Sequence, residues 1–263
     1  MPTNEQRRQA AKRKLERQQE RRAEKARKRK RMLTIGSVVA VVVVVAAAIG
    51  IYVVASGDDS STPTAAEPQP ASACTYNTTG EPASKPATIP DGNPPRSGTV
   101  ALTLNTSQGA IPLTLDRAEA PCAVNAVASL AQQRFYDDTP CHRLTTDPSL
   151  RVLQCGDPTG QGSGGPGFQY DEEPPQGANP YARGAVAMAK TSAPGTTGSQ
   201  FFLVYGDSQL PPEYTVVGRI GAPGLAVLDR VAAAGSDNSN GEGDGKPRTA
   251  VQIQQAALGA PTP

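Results

Sequence analysis

The stretch Gly198-Ser199-Gln200-Phe201-Phe202, running on into Leu203-Val204, sets a single amide among aromatic and β-forming residues. Such a run reads as a strand entering a buried sheet. A glutamine buried there without partners would cost about 1–3 kcal/mol, so its amide needs a hydrogen-bonding task. A groove that holds a peptide backbone supplies one.

Outward from this strand the pattern is mostly β. Val100, Leu102 and Leu104 alternate with polar residues, as do Ile111, Leu113 and Leu115, and Ser107-Gln108-Gly109 between them marks a β-hairpin. Pro121 opens a run to Ala131 with apolar residues three and four apart, which predicts a helix. Strands and glycine-rich loops then alternate to about residue 220. A second helix is expected at 223–234, opened by Pro223 and closed by Gly235. After a Gly/Asp/Asn loop at 236–248, Ala250-Val251-Gln252-Ile253 reads as a closing strand. Many short strands with two helices predict a mainly β fold, a closed barrel with helices over its ends.

The N-terminal third has another character. Residues 1–31 hold 14 of the 26 Lys and Arg and four of the 24 acids, so they carry +10 and the remainder −8. They show no apolar face, which makes residues 1–32 a solvated basic segment. A nucleic-acid-binding arm is the rival reading, but Leu33–Ala55 follows, 23 residues without a charge. As a helix it spans roughly 34 Å, enough for a bilayer core. With the basic flank before it and Asp58-Asp59 after it, the expected protein is a single-pass membrane protein. Its N-terminus is cytoplasmic, its remainder extracytoplasmic, and its basic segment lies near anionic lipid. No nucleic-acid partner is then expected. A cleavable signal peptide fits less well, because both the basic region and the apolar run are too long. Residues 56–97, rich in Pro, Ser and Thr, read as a linker, with Cys74 placed to staple its end to the folded domain.

Four cysteines (Cys74, Cys122, Cys141, Cys155) and one histidine without C-x-x-C spacing argue against a zinc site. In an extracytoplasmic domain they suggest two disulfides, with three connectivities open. The glycine-dense run Gly160–Gly167 lacks the lysine of a phosphate loop. Asp171-Glu172-Glu173 reads as an exposed acidic turn. No cofactor or metal is expected.

Five segments, in order, resemble the cyclophilin family. Phe135-Tyr136-Asp137-Asp138-Thr139-Pro140-Cys141-His142-Arg143-Leu144 is similar to its F-Y-[DN]-G-T-x-F-H-R motif. Val152-Leu153-Gln154-Cys155-Gly156-Asp157-Pro158 resembles its Q-G-G-D-P turn, and Gly184-Ala185-Val186-Ala187-Met188-Ala189 its G-x-[LV]-[SA]-M-A strand. Gly198-Ser199-Gln200-Phe201-Phe202 matches its G-S-Q-F-F, and Leu210-Pro211-Pro212-Glu213-Tyr214-Thr215-Val216-Val217-Gly218 its L-x-x-x-[HY]-x-V-F-G. The likeness spans about residues 98–258. It implies a closed eight-stranded antiparallel barrel capped by two helices, and peptidyl-prolyl cis-trans isomerase activity on proline-containing polypeptides.

The resemblance also implies roles. Arg143 is the cation that meets the proline nitrogen, Gln200 orients Arg143 or binds substrate backbone, and Phe202 floors the proline pocket. Val152, Leu210 and Tyr214 wall that pocket, Gln154 and Ala189 line the groove, and His142 is a hydrogen-bonding neighbour of Arg143. A few residues are added between Arg143 and Gln154. The family's phenylalanine there falls on Arg151, or on Leu150 if the loop bends differently. Lys190 stands where asparagine is frequent. The family's fold sets Cys141 and Cys155 on consecutive strands, which leaves Cys74 for Cys122. The altered loop keeps a second expectation open: a proline-peptide-binding module with little or no turnover.

Overall fold

The computed structural model describes residues 73–259. The basic segment and the expected span Leu33–Ala55 lie outside the described residues. Among those described, no helix is long and apolar enough to cross a membrane. The elements, in order, are β1 (Tyr76–Thr78), β2 (Thr99–Thr106), β3 (Gly109–Asp116), α1 (Pro121–Gln132), β4 (Thr139–Pro140), β5 (Arg143–Asp147) and β6 (Leu150–Cys155). They continue with β7 (Phe168–Tyr170), β8 (Ala185–Met188), β9 (Phe201–Gly206), β10 (Val216–Ile220), α2 (Ala222–Ala234), β11 (Asp244–Gly245) and β12 (Gln252–Leu258).

The β2–β3 hairpin forms because two alternating runs meet in phase. Val100, Leu102 and Leu104 pair with Leu115, Leu113 and Ile111, and all six are buried. The helices lie where proline opens them. In α1, Ala123, Val124, Val127 and Leu130 form the buried face. Ala120 before it has no side chain to cap the first turn. Glu173 does so from 50 residues away, its carboxylate accepting the Cys122 and Ala123 N–H groups at 3.0 and 2.8 Å. Glu172 accepts the Gly195 and Thr196 N–H groups at 3.0 and 3.3 Å. Two members of the acidic turn, Glu172 and Glu173, are therefore loop ties, while Asp171 is exposed as expected. Helix α2 ends at Gly235, whose φ of 76° suits glycine. It rests on the hairpin through Gly224, where an added Cβ would come within 2.8 Å of Ile111 and 2.9 Å of Ile220.

The main sheet is antiparallel and runs β11-β5-β6-β9-β8-β10-β3-β2-β12-β4. This corrects the expected closed eight-stranded barrel: the described residues form an open ladder of ten strands. Its ends are two-residue strands that do not pair with each other. The break has a local cause. The chain pairs with β12 at Thr139–Pro140 and with β6 from Arg143 onward, so Cys141-His142 crosses between the two neighbours. Pro140 has no N–H to continue a ladder. Cys141 N–H reaches back to Val251 O at 2.8 Å, while His142 N–H reaches forward to Gln154 O at 3.0 Å. Strand β12, read as the closing strand, lies between β2 and β4.

Both disulfides are present, Cys74–Cys122 and Cys141–Cys155. The first fastens residues 74–97 to the domain as a strap. Strand β1 pairs with β7 in register Tyr76↔Tyr170 and Thr78↔Phe168. The Tyr76 ring meets Phe168 and Tyr170 edge-on at 5.7 and 5.5 Å, and its hydroxyl donates to Cys122 O at 2.9 Å. Farther along, Lys85 Nζ donates to Asp137 O, and Thr88 N–H donates to Gln133 Oε1 at 2.7 Å.

Candidate functional site

Strand β6 alternates faces as a pleated strand must. Leu153 and Cys155 point into the main core. Val152 belongs to a second, smaller cluster with Tyr181, Ala185, Ala187, Phe202, Val204 and Val216. Leu150, Ala189, Leu210 and Tyr214 pack against it partly buried, which makes that cluster an apolar patch with partly open cover, the candidate hollow for a substrate ring. The pocket residues named from sequence are thus brought together. Of the two residues on which the expected aromatic could fall, Leu150 packs against this cluster and Arg151 does not. Arg151 is exposed on the other face, its stem against Gly206. The added residues lengthen the β5–β6 hairpin instead of forming a loop.

Three rings shape the hollow. Phe202 meets Tyr214 at 5.7 Å and 81°, and Tyr181 stands 6.4 Å from Phe202 and 6.2 Å from Tyr214. Tyr181 is missing from the sequence reading, because it lies between motifs. The aromatic just ahead of the Gly184–Met188 strand was its only signal. Its hydroxyl lies 3.1 and 3.0 Å from the carbonyl oxygens of Pro211 and Tyr214 and accepts the Tyr214 N–H at 2.9 Å. One phenol therefore holds the segment that carries Leu210 and Tyr214.

Beside the hollow runs a line of side-chain hydrogen bonds. Arg143 and Gln154 are direct partners across β5 and β6. Arg143 Nη1 donates to Gln154 Oε1 at 3.4 Å, and Gln154 Nε2 donates to Gln200 Oε1 at 3.0 Å. Gln200 Nε2 donates to the carbonyls of Gly162 and Gly164 at 2.9 and 3.1 Å. Gln200 is thus only partly buried, not buried as expected; its amide is satisfied within the chain and reaches Arg143 through Gln154. The other two prongs of Arg143 go to Asp244: Nε to Oδ1 at 2.8 Å and Nη2 to Oδ2 at 2.6 Å. This fork is the strong form of a carboxylate pair. It holds the guanidinium above its ordinary pKa and the Asp244 carboxyl below the usual carboxylate range. Both side chains remain about one-third exposed, so solvent screens much of that attraction.

His142 departs from its expected role. Its Nδ1 and Nε2 are buried and make no hydrogen bond among the described residues. Burial, helped by the Arg143 charge and opposed by Asp157, pushes the imidazole pKa down. The folded state thus favours neutral His142, and the unfolded chain takes up the proton first as pH falls. This contribution to stability is full above the unfolded histidine value and is lost as pH drops through it towards the folded one. A melting temperature that falls from pH 7 to pH 5 is expected, with a flatter slope in His142→Leu. Identical slopes in both proteins would exclude the linkage.

Lys190 has only 7% of its side chain exposed; its Nζ lies 3.7 Å from Glu213, 3.4 Å from Thr191 O and 5.9 Å above the Tyr214 ring centre. No cluster of His, Cys, Asp and Glu suited to a metal occurs among the described residues. An apolar hollow beside a guanidinium fixed by Asp244 suits a neutral, ring-bearing substrate group.

An open antiparallel β sheet flanked by two helices carries this site. The family model described as cyclophilin type peptidyl-prolyl cis-trans isomerase/CLD matches residues 100–258, and the chain belongs to that family. Among curated proteins it is similar to the probable peptidyl-prolyl cis-trans isomerase B of Mycobacterium leprae. They are 47% identical over 203 residues, 70% of this chain and 66% of that one. The same-named protein of Mycobacterium tuberculosis strain H37Rv is 47% identical over 198 residues, 70% and 63% of the two chains. The chain thus spans slightly less than two-thirds of the length of these relatives. Among solved structures it resembles a cyclophilin type peptidyl-prolyl cis-trans isomerase of Cryptosporidium parvum. The TM-score is 0.54 at 28% identity, covering 63% of this chain and 99% of that one. A second structure of that protein, in the presence of the dipeptide Ala-Pro, gives 0.53 at 29% identity, covering 61% and 99%.

Proposed function

We propose that this chain is a membrane-anchored peptidyl-prolyl cis-trans isomerase that assists the folding of extracytoplasmic proteins. The observation that carries the reading is Arg143, held by Asp244 and Gln154 beside the hollow floored by Phe202. Isomerisation of an Xaa-Pro bond crosses a barrier of roughly 18–20 kcal/mol and takes tens to hundreds of seconds unaided. Twisting the amide ends its resonance, and the proline nitrogen gains a lone pair. No bond to the protein forms and no cofactor takes part. Val152, Leu150, Leu210, Phe202 and Tyr214 hold the proline ring. Gln154 and the backbone beside Ala189 hold the flanking peptide, and Arg143 donates towards the lone pair as it develops. Reaching millisecond turnover means lowering the barrier by about 6 kcal/mol, at roughly 1.4 per tenfold.

The two disulfides support placement outside the cytoplasm, where such bonds persist. The uncharged run Leu33–Ala55 after a basic segment supports the anchor. A reporter enzyme that is active only outside the cytoplasm, fused after Pro263, is expected to be active; an inactive fusion overturns the topology.

The second reading, a proline-peptide-binding module with little turnover, draws on Asp244. That carboxylate occupies two of the three Arg143 prongs. Exchange NMR on an Ala-Pro peptide with the full-length chain in detergent micelles separates the two. Millisecond cis-trans exchange is expected. Binding without faster exchange selects the module, and neither binding nor exchange refutes both.

A further inference from the structure

The strap crosses close to the site just described. Thr79 N–H donates to Gly167 O at 3.1 Å. Ser84 and Gly165 bond reciprocally: Ser84 N–H donates to Gly165 O at 2.8 Å, and Gly165 N–H donates to Ser84 Oγ at 3.0 Å. The backbone of Ala83 lies so close to Gly167 that an added Cβ there would meet its nitrogen at 3.2 Å. These contacts pin the glycine loop whose carbonyls at Gly162 and Gly164 hold Gln200. Strap, glycine loop, Gln200, Gln154 and Arg143 thus form one continuous line. Residues 79–84 lie ahead of the span matched by the family model.

Between the strap and the groove lies a cavity of about 660 Å³, with Glu81, Pro82 and Ser84 on one side and Gln154, Gln200 and Lys190 on the other. Its charges are asymmetric. The Lys190 ammonium is engaged by Thr191 O and Glu213 and sits over Tyr214. Glu81 is exposed, and its carboxylate makes no ion pair among the described residues. An exposed carboxylate lining this cavity, with no ion-pair partner among the described residues, suits a positively charged side chain.

We propose that the strap is a specificity element of the isomerase centre: Glu81 selects substrates with a Lys or Arg side chain flanking the Xaa-Pro pair. This rests on the groove being the peptide site proposed above, and the selection adds to whatever the proline hollow binds. The test uses the full-length protein and Ala-Pro peptides with Lys or Glu placed in turn on either side of the pair. Dissociation constants and exchange rates are both measured. The wild-type chain is expected to favour a Lys peptide over its Glu counterpart. Glu81→Gln should reduce that ratio about threefold and Glu81→Lys roughly tenfold, as removal and reversal of one exposed charge imply. Raising ionic strength should shrink the ratio in the wild type. A Lys-to-Glu ratio that is the same in all three proteins overturns the proposal, even if isomerisation is intact. If peptides bind without turnover, the ratio of dissociation constants decides the matter, so loss of the isomerase reading does not remove the test. Absence of all peptide binding overturns both.

Discussion

Replacing Arg143 with alanine is expected to lower kcat by about 10²–10³, the usual cost of removing one fixed donor aimed at charge that develops in the transition state. KM should move far less, because the hollow of Phe202, Tyr214 and Leu210 is untouched. Arg143→Lys should restore only part of the rate. An ammonium cannot keep the two-pronged bond to Asp244 while pointing a third donor at the substrate. Asp244→Asn is the milder companion: it keeps the shape, weakens the fork and leaves the guanidinium free to turn. A drop in kcat smaller than that of Arg143→Ala is expected, with little change in melting temperature, since the pair is partly exposed. An Arg143→Ala protein with wild-type kcat removes Arg143 from the mechanism.

The second large effect concerns Cys74–Cys122. It closes a sequence separation of 48 residues, and chain entropy assigns such a bond about 4 kcal/mol, against about 3 for the shorter Cys141–Cys155 link. The paired change Cys74→Ser and Cys122→Ser should therefore lower the melting temperature by roughly 10 °C for a domain of this size. The Tyr76 contacts with Phe168 and Tyr170 should loosen with it, because the strand pairs over three residues and is otherwise held by a few hydrogen bonds. Loss of edge-on ring signals in near-ultraviolet circular dichroism would report this separately. A melting temperature within 2 °C of wild type, on a scale of about 2–4 °C per kcal/mol, would show that the strap holds without the bond.

Much of the site is legible because its residues sit on strands whose spacing fixes their direction. Arg143, Gln154 and Phe202 fall on adjacent strands, with Arg143 opposite Gln154 and Gln154 opposite Phe202. The period of two also decides between Leu150 and Arg151 once the strand start is known. Three features were hidden. Asp244 is 101 residues from Arg143, in a loop of Gly, Asp and Asn where a carboxylate looks like any turn former. Tyr181 acts through a hydroxyl bound to backbone, which leaves no pattern in the chain. The strap has linker composition; its Cys74–Cys122 anchor was expected, but the pairing of β1 with β7 that orders it is not visible locally. The open ladder was missed for a similar reason: the break turns on which neighbours Cys141 and His142 choose.

That break has a mechanical consequence. A ribbon with two free ends is peeled most cheaply from an end, and here both ends lie within a few residues of Arg143. Where the chain crosses from β4 to β5 the backbone makes one hydrogen bond to each side, Cys141 to Val251 and His142 to Gln154, and the Cys141–Cys155 bond stands beside them. A covalent rivet thus stands where the sheet would otherwise unzip, and fraying from the β4 end meets the Cys141–Cys155 link before it reaches the guanidinium.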